Sequence, residues 1–230
     1  MQIIESSVIG VRSARLEFWH PDIRATVTLF PMIHIAEPSF YARVYEDAFA
    51  QDVALVEGVD SPIARRITRA YRWMLGSKTL QLSLQPNPPS APQARIVHAD
   101  LTGPEFEVVW RKVPPWLRWI VYVYAMALGL SGRFRMTRLR LAKIVPLDDA
   151  PTLRELAQSP EAGALSEAIL DARDRRLLER LRECIGETHG AKRAIAVVYG
   201  AGHMRAVIRE LTDKLGFHTG KTEWMTVFST

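Results

Sequence analysis

The feature that most restricts the fold is an alternation. Apolar runs of strand length at Ala25–Phe30, Asp52–Glu57, Gln93–Val97 and Ala194–Val198 alternate with segments of helical period. The helical segments are Pro38–Ala50, Pro62–Leu75 and Leu165–Ile185, and another follows Val198 as far as Leu215. A βαβα rhythm of this kind predicts an α/β fold, a central and largely parallel sheet flanked by helices. An early hairpin is expected at Arg15–Trp19 and Ala25–Phe30, turning at His20-Pro21-Asp22, and a last strand at Glu223–Phe228. QPNPPSAP, Gln85–Pro92, is a breaker-rich loop, and a helix break is expected near Ser159-Pro160. Residues 104–160 contain no clear strand and read as a helical insertion within one domain spanning 1–230.

Composition narrows the class. The chain has 230 residues, 48% hydrophobic and 24% charged, the ordinary balance of a globular protein. A net charge of +5 with dispersed arginines falls short of a nucleic-acid interface, and no nucleic-acid module is present, so nucleic acid is not expected as a partner. The single Cys184 excludes an intrachain disulfide and a cysteine-based zinc site, and fits a reducing compartment. No basic segment leads into an apolar run at the N-terminus, so no signal peptide is read and a cytoplasmic location is expected.

Four of the apolar strands run into a histidine or a carboxylate. These endings are Pro31-Met32-Ile33-His34, Glu57-Gly58, His98-Ala99-Asp100 and Gly200-Ala201-Gly202-His203. Ligands of open α/β sheets bind at the carboxyl ends of the strands. Parallel neighbours would therefore carry His34, Glu57, His98 or Asp100, and His203 to one sheet edge. Two imidazoles with one or two carboxylates suit Zn, Mn, Fe or Co. They suit general acid–base chemistry equally. Gly200 and Gly202, in a strand-to-helix turn, would let backbone approach a ligand. His20, His189 and His218 lack such placement. Gly200-Ala201-Gly202 does not complete a dinucleotide fingerprint, because Arg205 stands where a third glycine belongs.

Arg173 joins this set by a different route. It falls on the apolar stripe of Leu170, Leu177, Leu181 and Cys184, whereas Arg175, Arg176 and Arg180 fall elsewhere and are expected to be solvated. A cation on a buried face requires a partner. Glu57, Asp100 or a bound anion would serve, and a purely structural ion pair is the competing reading.

These residues resemble the TraB/PrgY/GumN family, relatives of the TIKI metalloproteases within the erythromycin-esterase/ChaN-like superfamily. The resemblance rests on GAGH at Gly200–His203, on Glu57 in VALVEGVDS and on Arg173 in LDARDRRLLERL. The family's first Gly-x-x-His motif is matched only in part, as Pro31-Met32-Ile33-His34, with proline in place of glycine. The resemblance implies a metal-dependent hydrolase, most of all a peptidase. His34, His203 and Glu57 would hold Mn²⁺, Co²⁺ or Zn²⁺, with Glu57 as third ligand or as the base that activates water. Arg173 would orient a carboxylate or stabilise an oxyanion. The alternative on the same fold is a non-catalytic, regulatory protein that binds haem, iron or a peptide. Peptides or small molecules are the expected substrates.

The longest apolar run, WIVYVYAMALGL at Trp119–Leu130, is shorter than the roughly 20 residues a membrane-spanning helix needs. It reads as a buried helix, or, with Trp116 before it and Arg133, Arg135, Arg138, Arg140 and Lys143 after it, as a membrane-surface or dimer contact through 116–130.

Overall fold

The computed structural model describes residues 2–76, 80–89, 93–145, 160–187 and 192–230. The expected hairpin is β2 (Gly10–Trp19) and β3 (Ala25–Met32), antiparallel from Leu16↔Leu29 to Trp19↔Thr26. His20 closes its turn, its Nδ1 accepting the N–H groups of Asp22 and Ile23. Beyond Leu29 the ladder stops short of Pro31, which has no N–H to give, and Ser13 Oγ donates to the Pro31 carbonyl instead. β1 (Ile4–Ser7) was not expected from the sequence. It pairs antiparallel with the start of β2. Gly10 makes the turn possible: its φ is +146°, and a Cβ there would stand 2.4 Å from the Phe228 carbonyl oxygen.

The chain then builds the parallel half of the sheet. A short β4 (Ile35–Ala36) leads into α1 (Pro38–Phe49), and β5 (Val53–Val56) follows. Next come α2 (Pro62–Leu75), β6 (Ser83–Leu84) and β7 (Arg95–His98). β4 and β6 form a separate two-stranded sheet. α3 (Gly103–Arg111), capped by the reciprocal Thr102/Glu105 pair, leads to α4 (Pro115–Arg135) and α5 (Arg138–Ile144). α6 (Pro160–Ser166) passes through a π-helical turn at Glu167–Asp171 into α7 (Ala172–Gly186). β8 (Arg193–Gly200), α8 (Ala201–Arg209) with a π-helical turn at Glu210–Lys214, and β9 (His218–Ser229) complete the chain.

The sheet order is β1-β2-β3-β8-β5-β7, with β9 against β2, and β3, β8, β5 and β7 run parallel. This is the α/β fold expected, with antiparallel strands added on the β2 side. β9 is twice as long as read from the sequence, because its polar first half is exposed and lacks an apolar signature. The described part of the expected insertion is helical. Residues 146–159, like part of the Gln85–Pro92 loop and His189, lie outside the described residues.

β8, the last of the parallel strands along the chain, lies between β3 and β5, and its inner residues Ile195–Val198 are fully buried. α4 packs on α2 through two glycines. A Cβ at Gly129 would lie 2.8 Å from the Ala70 Cα and carbonyl oxygen, and one at Gly132 would lie 2.8 Å from Met74 Cγ. Gly129→Val must push the two helices apart. The expected loss is about 2 kcal/mol in urea unfolding.

Candidate functional site

The parallel strands β3, β8, β5 and β7 end at one edge, and the polar residues after them converge there. Glu57 follows β5 directly, and its N–H is fixed by the Val198 carbonyl of β8. Asp100 follows β7 and is held by backbone: Oδ2 accepts from the Gly58 N–H at 3.1 Å and Oδ1 from the Leu101 N–H at 2.8 Å. Arg173 enters from α7, directly after the π-helical turn. Nε donates to Asp100 Oδ1 (3.0 Å), and Nη2 to Asp100 Oδ2 (2.7 Å) and Glu57 Oε1 (2.5 Å). Its guanidinium also lies 5.6 Å from the centre of the buried Tyr199 ring. Of the partners weighed for Arg173, the structure supplies both carboxylates at once.

The remaining oxygen of Glu57, Oε2, accepts the Gly200 N–H at 2.6 Å. Gly200 is needed here for space. A Cβ would stand 3.1 Å from Oε2, and φ is an ordinary −51°. Gly202 lies in the first turn of α8. His203, in the same first turn of α8, is buried edge-on to Tyr199 with ring centroids 4.9 Å apart, and its Nδ1 lies 2.7 Å from Asp174 Oδ1. A carboxylate oxygen accepts, so Nδ1 is the donor of this pair, which leaves Nε2 for another partner.

A cavity of about 430 Å³ opens over this edge, lined by His34, Glu57, Tyr71, Trp110 and Arg173 among others. His34 lies tilted against Tyr71, with ring centroids 5.3 Å apart. His203 is not among the lining residues. His98 is not gathered into the site: it ends the edge strand β7 and is exposed, while Asp100 two residues later points inward. Asp174 was legible but not singled out, although it sits beside the stripe of Leu170, Leu177, Leu181 and Cys184 as closely as Arg173 does, on its other flank. Arg175 and Arg180 are exposed or half-exposed pairs with Glu167 and Glu183, as expected. Arg176 is more buried than expected and holds Glu105 at 2.6 Å.

Burial raises the pKa of Glu57, but Arg173, then His203 and His34, outweigh it and hold the carboxyl at about 2 against an ordinary 4.5. Burial likewise opposes the charge on Arg173, and Glu57 and Asp100 keep it firmly cationic. Burial pushes the Tyr199 hydroxyl well above its usual range. Glu57 is therefore a fixed anion and a poor proton acceptor, which counts against the role of general base.

The donor chemistry fits a divalent cation: two imidazoles, one with its free nitrogen set by Asp174, and a carboxylate ionised at any working pH. Among the described residues, however, no group of three or more His, Cys, Asp or Glu side chains is gathered as a formed metal site. Both Glu57 oxygens are instead engaged by Arg173 and Gly200. Comparison with protein-family models, curated proteins and solved structures finds no match to this chain.

Glu57 stabilises the fold above pH 4.5, and this contribution is lost as pH falls from 4.5 towards 2. Glu57→Gln is expected to cost about 3 kcal/mol at pH 7 and to differ little from the parent near pH 2, by urea unfolding at both pH values.

Proposed function

We propose that the strand-end cleft is the active site of a metal-dependent hydrolase for peptide-like substrates. His34, His203 and Glu57 would serve as metal ligands, and Mn²⁺, Co²⁺ or Zn²⁺ as the ion. The observation that carries this reading is the convergence of His34, Glu57, Arg173 and His203 on one sheet edge, beside a cavity large enough for a side chain or two. A bound divalent ion would supply Lewis acidity and a water acidified towards neutral pH.

The chain's own groups have separate tasks in this reading. Asp174 fixes the His203 ring and its tautomer. Asp100 fixes Arg173, whose Nε and Nη2 are committed, so Nη1 is what Arg173 offers a substrate carboxylate or oxyanion. Tyr71 and Trp110 give apolar walls for a side chain. Glu57 contributes charge and ligation, and proton transfer falls to another group.

A second reading, a non-catalytic protein that binds haem, iron or a peptide, is favoured by one observation. Glu57 and Arg173 satisfy each other and the backbone without any ligand. The single free, buried Cys184 supports a reducing, cytoplasmic setting for either reading.

Calorimetric titration of metal-free protein with Mn²⁺, Co²⁺ and Zn²⁺ decides between them. The hydrolase reading expects stoichiometric binding that His34→Ala/His203→Ala abolishes, and binding weakened about 10–100-fold by Asp174→Asn. Absence of binding in the folded parent overturns it.

A further inference from the structure

α4 presents two unlike faces. One is pressed on α2 through Gly129 and Gly132 and contributes Val121 to the wall of the cavity. The other is exposed and apolar along its whole length. Trp119 is 66% exposed and Phe134 75%, with Trp116, Ile120, Val123 and Leu130 between or beside them. At 100° per residue these side chains share one side of the helix, with Arg133 and Arg135 at its two flanks. A contiguous apolar surface of this kind marks an interaction site.

The charges around it identify the partner. From Lys112 to Val145 the chain carries Lys112, Arg118, Arg133, Arg135, Arg138, Arg140 and Lys143 and no Asp or Glu. Arg138 is engaged by Glu37 and backbone carbonyls, but Lys112, Arg133, Arg135, Arg140 and Lys143 are exposed. Two-fold self-association would set this patch against itself, cations facing cations at both ends of the helix. An anionic lipid surface meets the same patch with opposite charge. Tryptophans at the level of the headgroups, aliphatic side chains below them and basic residues at the flanks are what such a surface selects. No helix among the described residues is long and apolar enough to cross a membrane, so α4 would lie along the surface.

We propose that the exposed face of α4 docks the protein in-plane on an anionic lipid bilayer. The cavity, walled by the inner side of the same helix, is then held close to the membrane.

The test is co-sedimentation of the full chain with vesicles of phosphatidylcholine alone and of phosphatidylcholine with phosphatidylserine, read with tryptophan fluorescence. Binding to the anionic vesicles, a blue shift and weakening by salt are expected. Trp119→Ser/Leu130→Ser should abolish binding, and Arg133→Gln/Arg135→Gln should weaken it about tenfold or more. Unchanged circular dichroism of each variant shows that the fold is retained. Sedimentation that ignores lipid charge, or that survives the apolar variant, overturns the proposal. So does a stable dimer by light scattering that the apolar variant dissociates and that does not bind vesicles.

Discussion

Arg173 between Glu57 and Asp100 is the interaction on which the strand-end edge depends. Four parallel strands stop at this edge, and after three of them peptide N–H groups turn to side chains. Two carboxylates take up those peptides: Asp100 binds the Gly58 and Leu101 N–H groups, and Glu57 binds the Gly200 N–H. Two buried carboxylates side by side repel each other, and one guanidinium shared by both removes that conflict. Breaking such a pair leaves an uncompensated buried charge, which typically costs about 3–5 kcal/mol. The loops after β5, β7 and β8 are thus tied to α7 by one side chain.

The same tie sets the chemistry. An arginine shared with Asp100 holds Glu57 as a permanent anion, so Glu57 offers charge rather than a place for a proton. Asp174 does for His203 what Asp100 does for Arg173, fixing it from behind. Farther out, α3 and α4 cover the cavity, and the glycine seam with α2 sets how closely α4 can lie. A seam made of small residues leaves the bulky side chains of α4 pointing away from the core. An aromatic and cationic surface follows from that packing.

Much of this was legible in the sequence. The strand ends at His34, Glu57, Asp100 and Gly200 were readable because buried parallel strands are continuous apolar runs, and a polar residue closing one is conspicuous. Arg173 stood out because a cation on an apolar stripe needs an explanation. What escaped were contacts that spacing does not encode. His98 and Asp100 are equivalent as sequence, and only the edge position of β7 turns one outward and the other in. β1 has one buried residue in four, and β9 opens with five exposed residues, so neither begins as a strand to the eye. α4 is apolar on both sides, and hydropathy cannot say which side the core takes. Gly129 and Gly132 were the available signal, since a Cβ at either would stand 2.8 Å from α2, and the side that is buried must be the one without a Cβ there.

The most direct test of this account is the ionisation of Glu57 itself, followed by NMR at its side-chain carboxyl carbon through an acid titration. The account predicts a carboxylate that stays charged down to a pH of about 2, and that moves back towards 4.5 when Arg173 is replaced by methionine. A midpoint near 4.5 in the parent would contradict it. Glu57 would then not be paired with Arg173, and the strand ends would be held together by something else.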